Sequence, residues 1–497
     1  MSQSIVNHFV RGVEFPGTSE ELAEVFDPAL GTSTKSVRLA SKADVSLTVS
    51  AAREAFDIWS KFSTSKRNAV LFRFRELLEH NKGELAKIIT EEHGKVLSDS
   101  SAEIGRGQEV VEFACGLAHL MKGEFSHNAA SEVDVFSMKQ PLGVVAIVSP
   151  FNFPAMVPMW FFPIAIAAGN SVILKPSEKN PSAAVWIGKL WKEAGLPDGV
   201  FNVLHGGEKV VNWMVEHPEI ESISFVGSTP AAKSVYQGAS KAGKRVQALG
   251  GAKNHMLVLP DSDLGLAADA AVSAAYGSAG ERCMAISVVV AVDPIGDEFV
   301  ALLEERVKKI RVGDGRGGSE MGPLISQAHR EKVIEYIEIA ELDNADVVVD
   351  GRSVVPDGDP HGFWLGPTLL DKVPTKSRVY SEEIFGPVLS VVRAESYEAG
   401  VALINSGRFG NGSAIFTRDG RAARNFVNAV ESGMVGVNVP IPVPMAYFSF
   451  GGWKNSLFGD SRAHGQEGFR FFTRQKVVTS RWPDPSPSEV NLGFPKS

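Results

Sequence analysis

The sequence predicts an α/β protein made of two doubly wound domains, with a small β arm outside both. Three observations predict it. Short apolar runs alternate with helical patterns from residue 143 to 249, and the alternation starts again near residue 252. Two extended, partly polar stretches, 126–141 and 470–482, belong to neither set. Parallel strands buried on both faces read as continuous apolar runs, and the helices between them supply right-handed crossovers.

In the first set, GVVAIVS at 143–149 is a strand, followed by a PFNFP turn and an apolar helical stretch at 155–168. Strand 171–174 (SVIL), helix 181–194, strand 200–204, helix 208–216, strand 222–226, helix 230–241 and strand 245–249 complete it. The second set opens with strand 255–259 and an Ala-rich helix, 264–276, that ends just before GSAGERC. Further strands are expected at 287–292, 346–349, 387–393, 413–417 and 434–439. Helices are expected at 297–310, 327–342, 396–405 and 420–431. The two extended stretches read as arms that pair between subunits or as edge hairpins on a monomer. The segment PDPSPSEVNLGFPKS at the C-terminus reads as a surface tail.

At 497 residues, 44% hydrophobic and 22% charged, the chain has the composition of a globular protein with two or three cores. A formal net charge of −8 leaves no surplus of cations for general nucleic-acid binding. The N-terminal stretch shows no basic region followed by an apolar run, so no secretory signal is expected. Residues 140–174 carry no charge, yet Pro150, Pro154, Pro158 and Pro163 interrupt any spanning helix. Two cysteines, Cys115 and Cys283, are too few for a disulfide framework or a four-ligand metal site. A cytoplasmic protein, not bound to membrane or nucleic acid, is expected.

Chemistry gathers at the carboxyl ends of the predicted strands, where open α/β sheets bind ligands. Asn152, in PFNFP, is placed either to donate to a developing oxyanion or to cap the next helix. Lys175 and Glu178, three residues apart after the next strand, suit either the hydroxyls of a ribose or a solvated ion pair. A carboxylate there accepts a 2′-OH and repels a 2′-phosphate, which favours NAD over NADP. Gly227-Ser228-Thr229 opens a helix whose amides suit a pyrophosphate, although no G-x-G-x-x-G fingerprint is present. Cys283 lies in a Gly-rich turn between helix and strand and reads as a buried structural thiol or as a nucleophile. Arg282 beside it favours the thiolate. Cys115 sits in a helical apolar pattern and reads as core.

Taken together, PFNFP, KPSE, FVGST, LGGAKNH, GERC and EEIFGPV resemble, in order, the motifs of the aldehyde dehydrogenase superfamily, over about residues 10–482. The resemblance implies two domains of aldehyde dehydrogenase type. An NAD-binding domain would span 1–125 and 142–250, and a catalytic domain 251–435. An oligomerisation arm would comprise 126–141 and 470–482, with a return segment at 436–469 and the tail at 483–497. It implies that Cys283 attacks an aldehyde and that Asn152 and the Cys283 amide hold the oxyanion. It assigns Lys175 and Glu178 to the adenosine ribose, Ser228 to the pyrophosphate and Glu383 to the nicotinamide ribose. Ser149, Phe151, Lys179, Gly250 and Phe385 would line the same groove. Ala232 stands where the family's GSTxxG pattern has its last glycine.

Hydrolytic members carry E-L-G-G, whereas this chain reads Ala248-Leu249-Gly250-Gly251. Alanine accepts no proton, so a thioester on Cys283 would wait for a thiol, with coenzyme A the expected one. Glu281 and Asp460 are the carboxylates that would revive a hydrolytic enzyme. The R-C-M segment, the run from Val437 to Pro444 and Trp453-Lys454 resemble the methylmalonate-semialdehyde dehydrogenase branch, which is coenzyme A-acylating. That resemblance implies a semialdehyde substrate bearing a carboxylate, Arg106 and Arg282 as its anchors, and a homo-tetramer or dimer.

Overall fold

The computed structural model of the chain describes residues 4–482, and the expected tail at 483–497 lies outside the described residues. Its centre is an eight-stranded sheet. From one edge the order is Leu457–Phe458, Arg245–Leu249, Ile220–Val226, Val144–Val148, Ser171–Lys175, Phe201–Val203, His8–Val10 and Val13–Phe15. The five strands between Arg245 and Phe201 in that order are parallel, and antiparallel strands close both edges. A seven-stranded sheet follows the order Asp346–Val349, Thr368–Asp371, Val388–Ala394, Ile286–Val292, Asn254–Val258, Gly412–Phe416 and Met434–Val437. All its pairs are parallel except the first. The five parallel strands of the first sheet and six of the second lie where the apolar runs place them, whereas the edge strands His8–Val10, Val13–Phe15 and Leu457–Phe458 were not expected. The short strand Thr368–Asp371 was missed because TLLD is too brief to show a period.

Three helices precede the first sheet's central strands: Lys42–Trp59, Thr64–His93 and Leu97–Cys115. Ser41 and Asp44 form a reciprocal capping box on the first, and Ser63 caps the second. The second ends at Gly94, whose φ of 88° and whose closeness to Pro323 exclude a side chain. This stop sends Lys95 inward instead of along the helix surface. Phe74 stacks on Trp191 at 3.7 Å between ring centroids, joining the second helix to Ser182–Glu193.

Two expectations need correction. The apolar stretch 155–168 is two short helices, Met156–Met159 and Phe162–Ala168, because Pro163 fits only the first turn of a helix. The start of the 470–482 arm is taken by helix Gly465–Phe471, whose Phe469 and Phe471 are core residues, so the strand begins at Thr473. From there Thr473–Arg481 pairs along Val133–Pro141, which also pairs with Phe125–Ala130, in a separate three-stranded sheet. Its Phe125 and Val477 are 64% and 62% exposed, so the arm shows apolar side chains to its surroundings. The uncharged stretch 140–174 lies mostly in the core, and among the described residues no helix is long and apolar enough to cross a membrane.

Candidate active site

A groove of about 510 Å³ runs past the carboxyl ends of the first sheet's strands and reaches Cys283. Ser149, Phe151, Asn152, Lys175, Glu178, Lys179, Ser228, Gly250, Glu383 and Phe385 all border it, so the fold gathers into one cleft residues that lie far apart in the sequence, from Ser149 to Phe385.

Local geometry explains the sequence around the cysteine. Ser278, Ala279 and Gly280 have φ of 53°, 52° and 73°, a left-handed run that turns the chain sharply after helix Leu264–Tyr276. A Cβ on Gly280 would lie 2.2 Å from the Gly386 carbonyl, so only glycine fits. Strain of this kind persists where surrounding structure fixes it. Here Asn254 and Asn411 donate side-chain N–H groups to the Cys283 carbonyl at 2.9 and 3.0 Å. Sequence reasoning passed over both. Asn254 lay within the LGGAKNH motif, but nothing in the sequence tied Asn411 to the cysteine.

Burial pushes the Cys283 thiol up to about 12, and the neighbouring Glu383 carboxylate adds to the rise. The main-chain N–H groups of Cys283 and Met284 oppose it, and Arg282 opposes it less. Arg282 does favour the thiolate, as expected, but desolvation outweighs the cation. The Arg282 guanidinium instead donates to Asp99 at 2.7 Å and borders a separate cavity of about 670 Å³. Arg106 is paired with Glu109 at 2.7 Å and donates to the Pro444 carbonyl at 3.0 Å, beside Met156 and Trp160. In this structure each arginine is engaged by a carboxylate of the chain itself, and among the described residues the two have no common partner.

Asn152 is held from several sides. Its side-chain amide donates to the Glu281 carbonyl at 3.0 Å, leaving its second N–H for another acceptor. Its own carbonyl accepts from Lys95 at 2.5 Å, and Asn180 holds the Phe151 carbonyl at 2.6 Å. Glu103, paired with Lys95 at 2.8 Å, takes the Ala155 and Met156 N–H groups. Both members of that ion pair have fully buried side chains. Lys95 and Glu103 were not singled out in the sequence, because a buried pair eight residues apart looks like two surface charges.

The groove also suits a dinucleotide. Lys175 lies 3.4 Å from Glu178 and donates to the Gly206 carbonyl, while burial lowers its ammonium's proton affinity. Ser149 has a buried hydroxyl without a partner among the described residues. Gly207 opens on empty space where a side chain would intrude. Ser228 precedes helix Thr229–Lys241 without a side-chain cap, so the first amides remain free. Ala232, in the place of the pattern's glycine, is fully buried against the sheet and does not enter the cleft. Burial raises Glu383 to about 7, and its carboxylate accepts the Ala252 N–H at 2.8 Å. Lys253, buried and lowered to about 7, faces Glu383 and was also missed by the sequence reading.

Neither substitute base lines this groove. Glu281 turns its carboxyl toward the Ile325 N–H and two histidines, and Asp460 borders a different cavity with Arg245 and Arg470. Ala248 itself is fully buried, in register with Phe225 and Phe458.

Comparison with known proteins agrees with this geometry. The aldehyde dehydrogenase family model matches residues 15–478. A malonate-semialdehyde dehydrogenase of Pseudomonas aeruginosa is 50% identical, with 99% of each chain covered. One of Halalkalibacterium halodurans is 45% identical over 96% of this chain and 98% of its own. Among solved structures, methylmalonate-semialdehyde dehydrogenase from Oceanimonas doudoroffii superposes with a TM-score of 0.96 at 48% identity, covering 97% and 99% of the two chains. A Sinorhizobium meliloti structure complexed with NAD gives a TM-score of 0.96 at 45% identity, with the same coverage. With a cysteine at the end of a dinucleotide-sized cleft and these likenesses over nearly the whole length, the chain belongs to the aldehyde dehydrogenase family.

Proposed function

We propose that the protein oxidises malonate semialdehyde or methylmalonate semialdehyde with NAD and passes the acyl group to coenzyme A. The observation that carries the reading is Ala248, buried where hydrolytic members place their base, with Glu281 and Asp460 both turned away from the groove. The names of the relatives support the substrate class.

Cys283 gives its thiol proton to water and its sulfur adds to the aldehyde carbon, and the new oxyanion is held by the Cys283 amide and the free N–H of Asn152. Lys175, Glu178, Ser228 and Glu383 would hold NAD, which when bound would supply the hydride acceptor, and Cys283 keeps the acyl group as a thioester. The substrate carboxylate leaves as carbon dioxide, the electron pair of the broken C–C bond passes into the thioester enolate, and a proton from water takes the carboxylate's place on carbon. The thiolate of coenzyme A then attacks the thioester carbon and releases the Cys283 thiolate, giving acetyl- or propionyl-coenzyme A. Arg106 and Arg282 anchor the substrate carboxylate by exchanging Glu109 and Asp99 for it. Residues 1–125 and 142–250 serve as the NAD-binding domain and 251–435 as the catalytic domain. The three-stranded arm, with its exposed Phe125 and Val477, joins copies into a dimer or tetramer. Two free cysteines fit a reducing cytoplasm.

The test compares malonate semialdehyde with propanal, which lacks the carboxylate, in the parent and in Arg282→Ala. The expected result is acetyl-coenzyme A from the parent and a KM for the semialdehyde raised roughly tenfold or more, with propanal little changed. Equal effects on both aldehydes would contradict the anchoring role.

A further inference from the structure

Behind the Asn152 turn lies a buried polar cluster that the chemistry above leaves unused. Glu281, two residues before the nucleophile, has a side chain with no exposure. One carboxyl oxygen accepts the Ile325 N–H at 3.2 Å and lies 3.7 Å from His329 Nε2. The other lies 3.8 Å from His93 Nε2 and has no hydrogen-bond partner among the described residues, nor has either ring nitrogen of His93. His329 Nε2 is already committed to the Phe385 carbonyl at 2.7 Å. The nearby cations are also occupied. Lys95 holds Glu103 and the Asn152 carbonyl, and Lys179 lies over the Phe151 ring at 5.2 Å. Meanwhile the main-chain carbonyl of Glu281 is the acceptor that orients the Asn152 amide.

An ionised carboxylate in this place would have one main-chain N–H and no paired cation. A protonated one is an O–H donor facing a neutral imidazole. Burial favours the second arrangement: it raises Glu281 to about 8 and drives His93 well below its ordinary value. Losing the proton would draw Lys95, the cation that also holds the Asn152 carbonyl, toward the new charge.

We propose that Glu281 is a positioning residue for the oxyanion donor: its main-chain carbonyl holds the Asn152 amide, its carboxyl when neutral leaves Lys95 on the Asn152 carbonyl, and its deprotonation draws Lys95 off that carbonyl and loosens the aim. The proposal rests on the reading of Asn152 as an oxyanion donor. It makes the acylation step fail at alkaline pH through a group that touches neither substrate nor cofactor.

The experiment follows the rate constant of the NADH burst from malonate semialdehyde and saturating NAD, without coenzyme A, between pH 6 and 10. Because the reactive Cys283 thiolate gains population over this range, the readout is the ratio of the parent burst rate constant to that of Glu281→Gln, which is expected to fall roughly tenfold or more between pH 7 and 9.5. Glu281→Gln, neutral at every pH and still an acceptor for Ile325, is expected within about threefold of the parent at pH 7 and to keep the full rise that the Cys283 thiolate gives with pH. Glu281→Ala is expected to lose roughly tenfold or more at all pH values, with the KM for NAD unchanged. A parent-to-Gln ratio that stays constant from pH 7 to 9.5 would overturn the proposal, and that variant decides the matter even where the alanine variant folds poorly. Failure of the underlying reading looks different, since the parent itself would form no NADH.

Discussion

Lys95→Met removes one partner of a fully buried ion pair and, with it, the clamp on the Asn152 carbonyl. Breaking such a pair by deleting one member costs about 3–5 kcal/mol, because the other charge is left in the interior. Glu103 keeps the Ala155 and Met156 N–H groups, which places the cost near the low end, about 3 kcal/mol. Methionine replaces most of the lysine stem, so little of the loss comes from a cavity. Unfolding entropy of about 2.1 cal/mol/K per residue gives, for 497 residues, on the order of 1 kcal/mol for each degree. The melting temperature should therefore fall by about 3 °C. The kcat should fall further than stability explains, approaching the roughly 10²-fold loss seen when one oxyanion donor is removed. Calorimetry and the NADH burst read the two effects separately. The double variant Lys95→Met with Glu103→Gln, which leaves no unpaired charge, should recover much of the stability and none of the rate. A single variant that melts with the parent and keeps its burst rate would refute the reasoning.

Alkylation of Cys283 by iodoacetamide in the absence of cofactor should accelerate steadily from pH 7 to 10, since burial holds the thiol well above its ordinary range. A plateau below pH 8 would show a thiolate already formed. Gly280→Ala must accommodate both a left-handed φ and a Cβ within 2.2 Å of the Gly386 carbonyl, so activity should be lost, with stability reduced by about 1–3 kcal/mol or more. Parent-like kinetics for that variant would contradict the geometry. Glu281→Gln should also change the pH dependence of stability. Folded Glu281 keeps a proton that the unfolded chain releases, so the parent loses stability as pH rises from 4.5 to about 8, and the variant lacks that loss. Thermal melts at pH 5 and pH 8 on both proteins check the sign.

What was legible in the sequence follows from how each feature is encoded. Strands such as Val144–Val148 and Ser171–Lys175 are buried on both faces, so their apolar runs stand out from the amphipathic helices between them. Asn152, Lys175, Glu178 and Ser228 were legible because they sit at strand ends, where short polar motifs interrupt those runs, whereas Ser149, Phe151, Lys179, Gly250, Glu383 and Phe385 were legible only through the family resemblance of the motifs around them. The helices before residue 116 were largely passed over, since their apolar residues interleave with many charges. Contacts made across long stretches of chain were not legible at all. Asn411 reaches the Cys283 carbonyl over 128 positions, and Lys95 reaches Asn152 over 57, with no local pattern to announce either. The direction of Arg282 was also hidden, because adjacency in sequence to Cys283 does not say which cavity a long side chain enters.

The central claim is that the Cys283 thioester waits for a thiol. It is tested most directly by following NADH formation from malonate semialdehyde and NAD with and without coenzyme A, with Cys283→Ala as the blank. A single burst, close to one NADH per active site, should appear without coenzyme A, and sustained turnover should appear only when it is added. Steady turnover at the same rate in its absence would mean that water is activated at the thioester, and the argument from Ala248 would fall.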